Sequence, residues 1–189
     1  MADAERLSAE DEPYHREPIT YEAPYLDNLP TAPREKFAAN IAAIQKLKEI
    51  EQRVANGGSP AFEDEQKILA QYTGWGGLSD AFDPNKSAWS NEYSQLKAAL
   101  SESEYEAARS STLTAFYTPA TVIHPIYRAL ERFGVKGGKI LEPSMGIGAF
   151  LAHGHFGSSD AKFYGVELDS ITGRISKQLY QKANIQVTG

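Results

Sequence analysis

The chain has 189 residues, of which 41% are hydrophobic and 23% are charged, values typical of a globular protein with one domain of ordinary size. It has no cysteine, which excludes disulfides and cysteine-ligated metal sites and suits a cytoplasmic protein, and it has no apolar run of the roughly 20 residues that a membrane span needs. The net charge of −6 lies wholly in residues 1–30, which contain eight acidic residues and two arginines. The remainder of the chain is neutral, so it offers no basic stripe that would bind nucleic acid.

The first 110 residues are predicted to form an arm followed by helices. Residues 1–30 contain four prolines and no sustained periodicity, which predicts a disordered arm. Apolar residues at spacings of three and four then predict an amphipathic helix that ends near residue 56, with a buried face formed by Phe37, Ile41, Ile44, Leu47, Ile50 and Val54. Further helices are predicted over 59–72, with Phe62, Ile68 and Leu69 in the core, and over 90–100 and 101–110.

A glycine-rich loop interrupts these helices at residues 73–82, where three glycines surround Trp75. One interpretation is a loop that ends a helix, with Trp75 anchored in the core. The alternative is a loop that approaches nucleic acid or closes over a ligand.

Residues 111–189 alternate between strand and helix patterns. Thr118 as N-cap and Pro119 as first residue predict a helix whose buried face comprises Val122, Ile123, Ile126, Tyr127, Leu130 and Phe133. Strands are predicted at 139–142, within 161–167 and at 185–188, with a helix over 170–182. This order predicts an α/β fold, an incomplete Rossmann-like sheet in residues 111–189 preceded by an all-helical segment in residues 31–110.

Acidic residues end the first two predicted strands. In a doubly wound sheet, Glu142 and Glu167 would both point into the crevice at the carboxyl ends, where ligands bind. Gly146 and Gly148 keep the intervening loop free of side chains, so backbone N–H groups can meet a ligand. Glu167 lies 19 residues after Gly148, close to the roughly 20 expected of an acid that binds ribose hydroxyls. The pattern predicts a nucleoside-containing ligand.

The charge of Glu142 helps to distinguish between a dinucleotide and S-adenosylmethionine as the ligand. A dinucleotide fingerprint has a third glycine where this chain has Leu151, and Glu142 would repel a pyrophosphate. S-adenosylmethionine carries a cationic amino group and a ribose, which suit Glu142 and Glu167 respectively. A fragment of an NAD-dependent oxidoreductase is the disfavoured alternative.

Several segments resemble those of adenine-specific DNA methyltransferases in which the cofactor-binding region comes first. Glu-Pro-Ser-Met-Gly-Ile-Gly-Ala-Phe150 is similar to their cofactor motif, Phe-Tyr-Thr-Pro119 to the segment before it, and Gly-Val-Glu-Leu-Asp169 to their ribose-binding strand end. With Tyr-Thr-Gly-Trp-Gly-Gly-Leu78 added, residues 31–189 resemble the start of the very large methyltransferase–helicase proteins of phages, plasmids and integrative elements.

The resemblance implies S-adenosylmethionine as cofactor, with DNA and the remaining methyltransferase and helicase parts of a longer protein as partners. The resemblance implies that Tyr117, Thr118 and Pro119 line the methionine side of the cofactor, that Glu167 binds the ribose and that Leu168 lies against the adenine. The amino acid part would be held by Glu142, Gly146 and Gly148, together with Pro143, Ser144 and Phe150 of the same motif.

The sequence departs from the family in one respect that bears on activity. Methylation of an exocyclic amine needs an Asn/Asp-Pro-Pro-aromatic element that holds the flipped base. The 189-residue sequence contains no such element. We therefore expect no catalytic residue and no DNA methylation by this chain alone, which would be the cofactor-binding front portion of such an enzyme. The alternative is a non-catalytic binding or anti-defence module of a mobile-element protein. His153 and His155 lack a nearby third ligand, so no metal site is predicted.

Overall fold

A computed structural model describes residues 17–21, 29–154 and 161–188, which form a mixed α/β fold. The elements in chain order are α1 (Pro33–Ala55), α2 (Glu63–Leu69), 3-10 turns at Ser79–Phe82 and Ser87–Trp89, α3 (Ser90–Ala99), α4 (Glu102–Ser111), α5 (Ala120–Arg132), β1 (Lys139–Glu142), α6 (Ala149–His153), β2 (Lys162–Glu167), α7 (Ser170–Leu179) and β3 (Asn184–Val187). Within the described ranges, no helix is long and apolar enough to cross a membrane.

The predicted helices of the first half are confirmed, with changes at their ends. The apolar stripe of α1 is buried from Phe37 to Ile50, but Val54 in the last turn is exposed. Helix α2 begins only at Glu63, because Glu65 accepts a hydrogen bond from the backbone N–H of Phe62 (2.9 Å) and so caps the helix there. The predicted core positions Phe62 and Ile68 are partly exposed, so for these two residues the prediction is wrong.

The three strands form a parallel sheet in the order β1-β2-β3. Glu142 pairs in register with Gly165, so the last residues of β1 and β2 lie at the same edge. Helix α7 packs on β2 and β3, and it ends three residues earlier than predicted because Tyr180 forms an antiparallel bridge to Thr20. Thr20 belongs to the predicted arm, of which residues 1–16 and 22–28 lie outside the described part.

Helix α5 differs from its prediction in both its cap and its buried face. Pro119 is the N-cap in an extended conformation, so the prediction of Thr118 as N-cap is wrong. Ile123 and Tyr127 are buried, and Leu130 is partly buried against them. The other three predicted core positions are exposed, at 47% for Val122, 41% for Ile126 and 83% for the C-cap residue Phe133. The helix turns one narrow stripe toward β1 and α6, and the second apolar stripe has no described neighbour to cover it.

The helical segment and the sheet share one hydrophobic core, which runs from α1 and Trp75 to α7. An ion-pair network reinforces this junction. Arg174 in α7 donates to both carboxylate oxygens of Glu51 (2.7 and 2.5 Å) and to Glu104 in α4 (2.6 Å). Burial opposes ionisation of Glu104, but hydrogen bonds from Ser101 N–H, Arg174 and Lys48 outweigh it and lower the pKa of Glu104 to about 2.

Candidate ligand site at the carboxyl ends of the strands

Glu167, at the end of β2, is held by two backbone amides. Gly146 N donates to Oε2 and Asp169 N donates to Oε1, each at 2.8 Å. A carboxylate has about four lone-pair sites, so both oxygens can still accept from a ligand. Because Gly146 lies in the glycine loop after β1, Glu167 joins the ends of two strands. Asp169 instead caps α7, with Oδ1 accepting from Thr172 N and Oγ1 at 2.7 and 2.6 Å.

Glu142, at the end of β1, has a buried carboxylate oxygen, Oε2, that meets no hydrogen-bond partner among the described residues. Burial, and secondarily the charge of Glu167, raise the pKa of Glu142 to about 7. Leaving such an acceptor unsatisfied costs about 1–3 kcal/mol, and more when it is charged. Burial also raises the pKa of nearby Tyr127 to about 12 and raises that of Tyr180, so both phenols stay protonated and uncharged. The position favours protonation or a cationic ligand.

Tyr117 lies between two glycines of positive φ, Gly74 (69°) in the Trp75 loop and Gly146 (56°) after β1. A Cβ atom at Gly74 would come within 2.9 Å of the phenolic oxygen, and one at Gly146 within 2.8 Å of the ring. Only glycine allows both approaches, since it alone combines this backbone conformation with no side chain. Tyr117 therefore fixes the glycine loop of the sheet against the helical segment.

The Trp75 loop serves as an anchor. The indole is buried and makes edge-on contacts with the rings of Phe37, Tyr72 and Phe82. Asn40 in α1 holds the loop by donating to Gly74 O (2.7 Å) and accepting from Thr73 N (2.8 Å). The interpretation of this segment as a core-anchored loop is confirmed.

A cavity of about 610 Å³ separates the strand ends from the helical segment, within the range of small-molecule sites. The sheet side is formed by Ser144, Gly146, Glu167, Leu168, Asp169 and Thr172. The opposite side is formed by Tyr72, Gly74, Ala107, Ser110, Ser111 and the stretch from Thr114 to Tyr117. Two carboxylates and no lysine or arginine are among the described residues that line it.

The structure places the sequence-predicted site residues in three groups. Tyr117, Ser144, Gly146, Glu167 and Leu168 line this cavity. Thr118 and Pro119 line a second cavity of about 310 Å³ on the other side of Tyr117. The remaining four predicted residues line neither cavity. Glu142 has a buried Oε2 atom, and Pro143 is exposed. Gly148 packs against the ring of Tyr180, and Phe150 packs against Tyr127.

Sequence reasoning missed the α4 side of the cavity, formed by Ala107, Ser110 and Ser111. These residues lie about 60 positions before Glu167, and no motif or periodicity links them to the strand ends.

The histidines give no metal site within the described ranges. His124 Nε2 and His153 Nδ1 are 3.1 Å apart and share a hydrogen bond between α5 and α6. Among the residues that the structure covers, no group of three or more histidine or acidic residues could hold a metal ion. His155 lies outside the described residues.

No protein-family model matches the chain, and no solved structure matches it. The chain is similar, at 25% identity over 174 residues, to the Defense against restriction protein B of Escherichia phage P1. The similarity covers 92% of this chain but only 6% of the phage protein. It supplies a context of phage and restriction and gives no evidence on methyl transfer.

Proposed function

We propose that the chain is a ligand-binding module of a mobile-element protein that counters host restriction, and that its ligand is a cationic adenosine compound of the S-adenosylmethionine class. The anti-restriction setting rests on the phage relative. The ligand class rests on the site. We place the action of the module in the cytoplasm of a bacterial or phage-infected cell.

The buried carboxylate of Glu142 is the observation that carries this proposal. Its Oε2 has neither a described donor nor a described cation, although it ends a strand beside the glycine loop. An ammonium group would satisfy this oxygen and recover the cost of burying it. A neutral or anionic ligand would leave that cost in place.

The cavity supports a nucleoside without phosphates. Glu167 can accept ribose hydroxyl hydrogen bonds while Gly146 N and Asp169 N keep it oriented. A pyrophosphate would lie beside Glu167 and Asp169, with no lysine or arginine among the described lining residues to neutralise it. Adenosylmethionine thus fits better than NAD.

The residues of this chain would bind and orient the cofactor. Bound adenosylmethionine supplies a methyl group on a sulfonium centre. Glu167 would hold the ribose and Leu168 would cover one side of the base. The ammonium group would extend beyond the cavity lining toward Glu142 at the end of β1 and pair with its carboxylate. In this role the chain recognises the ligand, and its described residues include no element that holds a flipped base.

A second candidate is the cofactor-binding front portion of a DNA adenine methyltransferase. The specific observation in its favour is the order of elements, in which a glycine loop follows β1 and an acidic strand end follows on β2 of a parallel sheet. Against turnover by this chain stands the missing Asn-Pro-Pro-aromatic element. With tritiated cofactor and mixed-sequence DNA, the chain should give background counts, and counts well above background would favour the enzyme over the binding module.

Calorimetric titration of the 189-residue chain with adenosylmethionine, adenosine and NAD tests the proposal. We expect weak but measurable binding of adenosylmethionine, weaker binding of adenosine because it lacks the ammonium group, and no binding of NAD. Glu142→Gln should weaken adenosylmethionine and leave adenosine unchanged, whereas Glu131→Gln, at an exposed position on α5, should change neither. Equal affinity for adenosylmethionine and NAD would reject the proposed ligand class.

Glu167→Ala tests the ribose contact separately. Hydrogen bonds to a charged acceptor contribute about 1.5–3 kcal/mol each, so loss of two should abolish measurable binding of both adenosine and adenosylmethionine. Circular dichroism is the control for folding, because Glu167 also holds Gly146. Unchanged affinity in the folded variant would remove Glu167 from the site.

A further inference from the structure

Helix α4 closes the cavity on the side opposite the strand ends. Ala107, Ser110 and Ser111 line the cavity across from Glu167 and Leu168. Two large apolar side chains at the cavity, Phe116 and Leu168, are exposed by 66% and 75%. A flat apolar ring system bound between α4 and the strand ends would cover both of them.

The two α4 hydroxyl groups present only acceptors to the cavity. Ser110 Oγ donates its proton to Glu106 O and Ser111 Oγ donates to Ala108 O, both at 2.8 Å. A serine hydroxyl has one donor and two acceptor lone pairs, and here the donor is used within the helix. In this arrangement, a ligand group that donates a hydrogen bond is favoured on this side.

Helix α4 is held in place from both sides. At its N-terminal end, Glu104 accepts from Arg174 of α7 and from Lys48 of α1. After its C-terminal end, Gly77 N donates to Thr112 O at 3.0 Å, and Gly76 approaches Ala115 so closely that a Cβ atom would lie 2.3 Å from its carbonyl oxygen. The α4 hydroxyls thus keep a fixed position relative to the strand ends, as recognition by hydrogen bonds requires.

We infer that α4 is the base-recognising wall of the site, where Ser110 and Ser111 accept hydrogen bonds from the exocyclic amine of an adenine base and thereby select a 6-amino purine over a 6-oxo purine. The inference rests on the proposed function, since it assigns the base end of the same ligand. A 6-oxo group places an acceptor where the wall also offers acceptors, so it leaves both sides unsatisfied. The helical segment then contributes directly to ligand selection.

Competition between adenosine and inosine on the full chain tests this inference. The two nucleosides share the ribose and differ only along the N1–C6 edge of the base, where adenosine has an amine beside an N1 acceptor and inosine has a carbonyl beside an N1–H donor. The ratio of their affinities therefore reports the contacts of that edge. We expect adenosine to bind about tenfold more tightly than inosine. In Ser110→Ala/Ser111→Ala the ratio should fall toward one through weaker adenosine binding.

Ser94→Ala is the matched control, because Ser94 Oγ donates to Ser90 O in the same way on α3 and does not line the cavity. The ratio of adenosine affinity to inosine affinity in this control variant should equal that of the wild type. Alanine has a higher helix propensity than serine, so the double substitution does not disfavour α4. Equal binding of adenosine and inosine by the wild type, or an unchanged ratio in the double variant, would overturn the inference while leaving the proposed function intact. Binding of no nucleoside at all would overturn both.

Discussion

The aromatic core around Trp75 and the flank formed by α5 and β1 differ in how fully their apolar side chains are covered. Trp75, Tyr72 and Leu78 are almost completely buried, and the rings meet edge to face. On the flank, Phe133 is 83% exposed and Leu141 is 63% exposed. Burial of apolar side chains therefore stabilises the aromatic core more than it stabilises this flank.

The candidate site lies between the helical segment and the carboxyl ends of the strands. Tyr117 contacts Gly74 of the Trp75 loop and Gly146 of the loop after β1, and Arg174 of α7 pairs with acidic residues of both α1 and α4. The strand ends supply the carboxylates, and the well-packed helices supply the opposite wall. The helical segment therefore fixes the geometry of the site, and substitutions in each region can test this division.

Trp75→Ala should have the largest effect, with a loss of about 3–5 kcal/mol in the free energy of unfolding, because it removes the centre of the aromatic core. Leu141→Ala on β1 is the matched change in the other region and should cost under about 1 kcal/mol, since that side chain is mostly exposed. Urea denaturation measures both. Similar losses in the two variants would refute the contrast.

Arg174→Ala should cost about 1–3 kcal/mol, because it removes the partner that the partly buried Glu51 and Glu104 share. The control is Lys97→Ala, which breaks the more exposed pair with Glu102 and should cost under about 0.5 kcal/mol. Denaturation midpoints compare the two. An effect of Arg174→Ala no larger than the control would show that the network does not hold the regions together.

Gly146→Ala combines an unfavourable φ with a clash against Tyr117, and we expect a loss of about 2–3 kcal/mol. Gly134→Ala shares the positive φ (83°) but has open space around the new methyl group, so about 1 kcal/mol is expected. The difference between the two melting temperatures isolates the contact with Tyr117. No difference would mean that the ring moves aside freely.

Two carboxyl groups make the stability depend on pH. Glu142 has a folded-state pKa of about 7, above the ordinary 4.5, so its contribution is fully present below pH 4.5 and is lost as the pH rises through 7. Glu104 has a folded-state pKa of about 2, so its contribution is present above pH 4.5 and is lost as the pH falls toward 2. The melting temperature should therefore decline in both directions from about pH 5. Glu142→Gln should flatten the upper limb, and Glu104→Gln the lower one.

Periodicity predicted the elements that pack on one continuous neighbour. The stripe of α1 is regular and faces a single core, so its bounds and all but its last position are confirmed. In α5 the same reasoning failed for Val122, Ile126 and Phe133, because periodicity shows that a face is apolar but not that a neighbour exists to cover it.

The site was predictable only where its residues are close in sequence or end a strand. The order of the strands brings Glu142 and Glu167 to one edge, as the sequence indicated. The hydrogen bond from Gly146 to Glu167 and the approach of α4 depend on contacts between distant segments, which leave no local pattern. Neither Ser110 nor Ser111 differs in sequence context from an ordinary helix terminus.

The pH dependence of adenosylmethionine affinity between pH 5.5 and 7.5 tests the central claim, that Glu142 receives a cation, most directly. An amino group with an ordinary pKa of about 7.7–8.0 stays largely charged over this range, so of the two groups that would pair, Glu142 is the one whose state changes most. The account predicts that wild-type affinity rises with pH and levels off above pH 7, and that Glu142→Gln binds more weakly with no rise. Wild-type affinity that is independent of pH, or an identical rise in Glu142→Gln, would contradict it.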